Sequence, residues 1–255
     1  MNQESKNELI QPVSEKLPSL LFLYAFGYAF FHILPAFLNL EIENRLMVGD
    51  VFDLLTPFAM IFLIYMLYRT LNRAPRSNSS KFPGLQSKLI LLLGAIIFVE
   101  GHGIHLSSNA IARHLEETPD NPVYRLTYFF DEMLSHKLWD GGIVILSLGL
   151  ILSSFSIVQK KAAFSSAVWI GLGALLYGFT YFANAVEGQT VIITFPIAIL
   201  IPMLLWWKAH RDGIFAVKNP VLSFFLYGYA VAIIFFLIWL IWQGGFPEFS
   251  ELGWI

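Results

Sequence analysis

The chain has 255 residues, 56% of them hydrophobic, 16% aromatic and only 13% charged, and its 16 Lys and Arg nearly balance 18 Asp and Glu at a formal net charge of -2. This lies well outside the composition of soluble domains and predicts an all-α, polytopic membrane protein. With no cysteine in the sequence, disulfides, thiolate metal ligands and a cysteine nucleophile are excluded.

The first 16 residues are polar, carry Glu4, Glu8 and Glu15, and lack the basic start and short apolar core of a secretory signal, which predicts an uncleaved cytoplasmic segment. Apolar runs of bilayer-crossing length, about 17–25 residues, follow near 17–40, 48–70, 88–111, 138–158, 163–187, 190–208 and 219–243. They predict a single seven-helix membrane domain over 17–243, followed by a short tail at 244–255. Between the second and third runs, Asn72 to Lys81 is purely basic and rich in Pro, Ser and Asn. It reads as a flexible loop able to touch anionic lipid, and it is too short for a nucleic-acid site. The pattern over 123–158 is helical but too long for one simple crossing, so residues 123–137 are expected to project from the membrane or lie along its surface. Pro196 and Pro202 allow kinks in the sixth run.

Basic residues orient the bundle, because cytoplasmic loops are enriched in them. A cytoplasmic N-terminus places Lys6, Lys16, Arg69, Arg73, Arg76, Lys81, Lys88, Lys160, Lys161, Lys208, Arg211 and Lys218 inside, leaving only Arg45, Arg113, Arg125 and Lys137 outside. Seven crossings then predict an extracytoplasmic C-terminus.

Ionisable residues within a bilayer are costly and mark function by default. On this topology nearly all fall in the outer half. His32 lies in the first span, and Asp50 and Asp53 open the second. Glu100, His102, His105 and Asn109 finish the third; Asp131, Glu132, His136 and Asp140 open the fourth; Asn184 and Glu187 end the fifth. Residues three or four apart share a helix face. His102, His105 and Asn109 therefore form one stripe, Glu132, His136 and Asp140 a second, and Thr180, Asn184 and Glu187 a third. In an unbroken helix Glu100 points roughly opposite His102. Gly101 and Gly103 mark either a distortion there or a close approach to a neighbouring helix.

Histidines and carboxylates from different helices, without cysteine, make a ligand set for a divalent metal: zinc first, with non-haem iron or manganese as alternatives. The expected site has His102, His105 and His136 as metal ligands, with Glu132, Asp140 and Glu187 as catalytic acids. Glu100, Asn109, Asp131, Asp53 and Asn184 are expected around them. Zinc lowers the pKa of its bound water to about 7, giving a hydroxide for an ester, amide or phosphoester. The expected function is thus a metal-dependent membrane hydrolase acting on a lipid or another small amphiphile. H-E-x-x-H is absent.

Plainer roles compete. His102 and His105 serve equally as interhelical hydrogen-bonding groups, His32 as a satisfied core histidine, Asp50 and Asp53 as helix-dipole partners, and Asp131 as part of a solvated face. His114, Glu116, Glu117 and Asp120 read as an exposed loop. An ion- or proton-linked transporter or pH sensor would use the same cluster, although the inner halves of the spans offer few polar groups to continue a path. An accessory subunit holding haem between two histidines, or a pigment, is a third class.

In general plan, seven spans with three histidines and acids, the chain resembles the superfamily of alkaline ceramidases and adiponectin receptors, which look like zinc-dependent membrane amidases and hydrolases. That family carries an H-x-x-x-H on its last helix. The last span here, Val221 to Gln243, has no histidine, so the resemblance is confined to the plan and no residue roles follow from it.

Overall fold

Asn121 and Asn219 each fold back over the start of a helix. The Asn121 carboxamide accepts the N–H groups of Val123 and Tyr124 at 3.0 and 3.2 Å, and Asn219 those of Val221 and Leu222, both at 3.2 Å. Each is followed by a proline at the first helical position, whose fixed φ suits it and whose missing N–H costs nothing there. Asp50 performs a related task, accepting the Met47 N–H at 2.8 Å.

The computed structural model describes residues 3–38, 40–43, 46–74, 84–115, 121–155, 164–211 and 219–254. Helix α1 (Gln3–Ile33) ends in a 3-10 turn, Leu34–Phe37, where Pro35 enters. Two short antiparallel strands, β1 (Glu41–Glu43) and β2 (Leu46–Met47), lead into α2 (Val48–Arg73). Helix α3 spans Gly84–Ala112. A continuous rod follows, made of α4 (Pro122–Tyr128), a π-helix (Phe129–Ser135) and α5 (His136–Ser154). Helices α6 (Phe164–Glu187), α7 (Val191–Arg211) and α8 (Pro220–Gln243) complete the bundle.

Among the described residues, seven helical stretches are long and apolar enough to cross a membrane, and the chain is an integral, multi-pass membrane protein. Its outer surface agrees: Ile192, Ile241 and Phe58 are 82%, 81% and 71% exposed, an arrangement that suits contact with lipid chains and not with water. The polar start is helical and continuous with the first span, whose apolar stretch begins at Lys16, and the small β1–β2 pair adds strand to an otherwise helical plan. The fourth crossing begins at Pro122 and runs 33 residues. At 1.5 Å per residue that is about 50 Å, well beyond a hydrocarbon core of about 30 Å. Its first turns expose Val123, Leu126, Tyr128 and Phe129.

Glycines set the closest helix pairing, α3 on α5. A Cβ at Gly101 would lie 2.5 Å from the Trp139 nitrogen, and one at Gly142 2.6 Å from the Phe98 nitrogen. A Cβ at Gly94 would lie 2.9 Å from both the backbone nitrogen and the side chain of Leu146, and one at Gly149 would meet the Leu91 side chain at 2.6 Å. Each helix thus places a small residue at a seven-residue interval, and at Gly101 and Gly142 the backbones meet without side chains between them. Gly103, by contrast, faces open space. Elsewhere α6 packs on α1 and α8, α1 on α2, and α7 on α8.

The end of the bundle that carries β1 and β2 also gathers the C-termini of α3, α6 and α8 and the start of the rod containing α5. At this hairpin end Gly244, with a left-handed φ of 70°, stops α8 and turns the chain back. Trp239 Nε1 donates to the Pro247 carbonyl at 3.2 Å, and Trp254 packs on Trp239 and Trp242 with ring centroids 5.3 and 5.6 Å apart. The tail lies across the bundle end rather than extending from it.

Candidate functional site

The π-helix carries the acids. Seven residues, FFDEMLS, take this wider winding between α4 and α5. Such segments alter the angular register of what precedes them and recur at functional sites. Asp131 and Glu132 both turn toward the bundle as a result. Asp131 is buried, its carbonyl accepts the Ser135 hydroxyl, and its carboxylate reaches His105 Nδ1 at 2.7 Å. Neither of those two atoms completes a hydrogen bond, so the oxygen lies off the N–H axis and the contact is one of charge. His105 Nε2 faces a second carboxylate, Asp53 Oδ2, at 4.0 Å. Glu132 Oε2 stands 3.6 Å from His136 Nε2 on the same rod.

All of these ionisable groups but Asp131 border a cavity of about 860 Å³ at the hairpin end. Its polar part includes Asp53, His105, Asn109, Glu132, His136 and Asn184. The remainder is aromatic and aliphatic, with Phe179, Phe182, Phe235 and Ile238 from α6 and α8, and Trp254 and Phe249 from the tail. Size and lining both fall in the range of small-molecule sites.

Trp139 is the common neighbour of the histidines. Its ring lies 4.2 Å from His102, 4.8 Å from His32, 5.2 Å from His136 and 5.7 Å from His105. The three imidazoles expected to share a metal are therefore arranged around an indole. His102, 2% exposed, is held among Trp139, Phe98 and His32 with neither ring nitrogen hydrogen-bonded. His105 and His136 stand 4.9 Å apart, each with its own carboxylate. Among the described residues no group of three His, Asp or Glu side chains is placed to hold a metal ion. The donors expected for zinc, iron or manganese are thus not gathered as one ligand set among these residues.

The other expected site residues divide by place. Asp53, Asn109, Asn184 and Glu187 line the cavity with His105, Glu132 and His136. Asp140 is buried apart from the cavity wall and receives the Thr190 hydroxyl. Asn184 donates to the Tyr28 hydroxyl at 3.2 Å. Glu187 accepts the N–H groups of Phe249 and Ser250 at 2.8 and 3.3 Å, holding the tail in place. Glu100 is exposed on the surface of the bundle, on the side of α3 away from the buried His102. The α3 helix is undistorted around Gly101, so helical geometry alone keeps Glu100 out of the site. His114 is exposed as expected, whereas Glu116, Glu117 and Asp120 lie outside the described residues.

Three features were not read from sequence. Arg113 grips Asp50 through both guanidinium ends, and this bond holds the guanidinium charged, above its ordinary pKa. Asp50 is 4% exposed, so it is a buried ion-pair member as well as the helix-start partner expected of it. His32 Nδ1 pairs with the Tyr28 carbonyl at 2.9 Å, but its Nε2 has no partner and the ring lines the cavity. Below the cavity, the Tyr177 hydroxyl joins Ser147 at 2.9 Å and Tyr229 at 3.2 Å. These hydroxyls extend the polar layer into the bundle.

The chain is similar to two curated proteins. It is 24% identical over 228 residues to the Ceroid-lipofuscinosis neuronal protein 6 homolog of Canis lupus familiaris, and 26% identical over 224 residues to Ceroid-lipofuscinosis neuronal protein 6 of Homo sapiens. Each alignment covers 80% of this chain and 67% of the relative. No family model matches the chain, and no solved structure does.

Proposed function

We propose that this membrane protein binds an amphiphile in the cavity at the hairpin end and acts on its polar head by acid–base chemistry, with hydrolysis of an ester or amide as the reaction class. The observation that carries the reading is His105, placed on the wall of an otherwise largely apolar cavity with a carboxylate at each ring nitrogen. Asp131 favours a proton on Nδ1 and leaves Nε2 to accept one from water, the division of labour that makes a histidine a general base. Asp53 beside Nε2 stabilises the imidazolium that then forms. Glu132 and His136 stand on the same wall as a second proton-carrying pair. The apolar wall accounts for an amphiphile over a soluble metabolite.

The hairpin end is taken to face away from the cytoplasm, because Lys16, Arg69, Arg73, Lys88, Lys208 and Arg211 belong to the opposite end. One observation favours a second reading, proton-linked transport or sensing: the Ser147, Tyr177 and Tyr229 hydroxyls supply polar groups below the cavity.

The test is extraction and mass analysis of amphiphiles retained by purified protein, followed by incubation with a panel of ester- and amide-linked lipids. Wild type should release product, and His105→Ala should retain the bound amphiphile while losing release. Turnover unaffected by His105→Ala overturns the catalytic role; absence of any retained amphiphile overturns the binding role.

A further inference from the structure

Charge around the cavity is one-sided. Asp50, Asp53, Glu132, Glu187 and Glu248 line it, and Asp131 stands directly behind His105. The only guanidinium or ammonium on the described wall is Arg113, which already grips Asp50. Counted with every carboxylate ionised, protonating the wall imidazoles His32, His105 and His136 brings the cations to four against six carboxylates, five on the wall and Asp131 behind it. Glu248 belongs to the same field. Its pKa is raised, first by burial and then by the charges of Glu187 and Glu251, which is the response of a carboxylate already surrounded by its own sign.

Two further observations point to a ligand. Trp139, 6% exposed and on the cavity wall, has an indole N–H with no acceptor among the described residues, and His32 Nε2 on the same wall is likewise unpartnered among them. Buried polar atoms are nearly always paired, so an oxygen of a bound head would complete them. The tryptophans Trp239, Trp242 and Trp254 also line the cavity. Indole rings attract cations through their π faces, quaternary ammonium groups included.

We infer that the amphiphile bound in this cavity carries an ammonium head with a hydrogen-bonding oxygen beside it. The carboxylates and tryptophans receive the cation, Trp139 and His32 the oxygen, and the phenylalanines of α6 and α8 the start of the hydrocarbon chain. An anionic head would meet the carboxylates without a free guanidinium or ammonium on the described wall to receive it. This rests on the amphiphile-binding reading above and names the chemical class of its ligand.

The experiment is a tryptophan-fluorescence titration of the full chain in neutral maltoside micelles with three single-chain probes of equal length: an alkyltrimethylammonium, an alkyl sulfate and a neutral monoalkylglycerol. The ammonium should bind saturably and at least about tenfold tighter than the sulfate, a preference that one well-placed charge contact supplies. Asp53→Asn combined with Glu132→Gln should remove most of that preference. Equal binding of all three probes, or tighter binding of the sulfate, overturns the ammonium inference and leaves amphiphile binding standing; binding of none overturns both. Glu100→Gln, on the outer surface, serves as a charge-removal control, and a loss of preference there as large as in the double variant would also overturn the inference.

Discussion

His105 meets Asp131 at 2.7 Å although one stands on α3 and the other on the π-helix before α5. The pairing depends on the glycine seam that draws α3 and α5 together and on the wide winding that turns Asp131 inward. Asp131→Asn should therefore reduce turnover of any substrate acted on here nearly as far as His105→Ala does. The double variant should be little worse than either single one, because residues acting as a unit are not additive. Additive losses in kcat would separate the two residues.

The seam itself is testable through contrast. Gly101→Val or Gly142→Val places side-chain atoms where backbone already lies and should cost about 1–3 kcal/mol or more, as overpacking does. Gly103→Ala and Gly141→Ala, where a Cβ meets nothing within 4 Å, should leave thermal unfolding in detergent nearly unchanged. Equal Tm losses at all four positions would contradict the seam.

Removing Arg113 strands a buried carboxylate. Arg113→Ala should destabilise the protein by about 3–5 kcal/mol, the usual result of breaking one side of a buried pair. The paired replacement Asp50→Asn with Arg113→Gln should recover part of that loss. Arg113→Lys should fall between, since an ammonium cannot grip both carboxylate oxygens as the guanidinium fork does. Denaturation midpoints across the four proteins check the order.

Glu187 acts on the tail, and its removal should be visible there. Glu187→Gln keeps the size but weakens the charge-assisted bonds to the Phe249 and Ser250 N–H groups. Limited proteolysis after Gly244 should become several-fold faster, with a change in tryptophan emission as Trp254 leaves Trp239. An unchanged cleavage rate would show that aromatic packing alone holds the tail.

The same tail should respond to pH through Glu248. Its pKa is raised above the ordinary glutamate value of 4.5 when the tail is seated. The seated state therefore binds the proton more tightly than the released one, and its advantage is full below that ordinary value. The advantage is lost as pH climbs through the raised one. Tail protection should weaken as pH rises through this window, and Glu248→Gln should flatten the profile. A rise in protection with pH would reverse the assignment.

Sequence periodicity was enough to place the crossings and to put His105, Glu132, Asn184 and Glu187 at one depth, because hydrophobicity and i, i+4 spacing are local properties. It could not find the π-helix, which keeps the same residues and changes only their angular register; hence Asp131 read as a solvated face as readily as a member of the site. Nor could it place Trp139 among four histidines, since an indole in an apolar run carries no sign of what surrounds it. Arg113 and Asp50 meet only after α2 and α3 are packed. Gly101 and Gly103 looked alike in the sequence, and only the partner helix tells them apart.

The winding of residues 129–135 makes geometry, as well as chemistry, a target for mutation. Forcing these residues into ordinary α-helix with none removed would swing what precedes them by on the order of 100°, carrying Asp131 away from His105 while every side chain of the site remained in the protein. A count of site residues would find nothing missing, yet the two halves of the site would no longer be in phase.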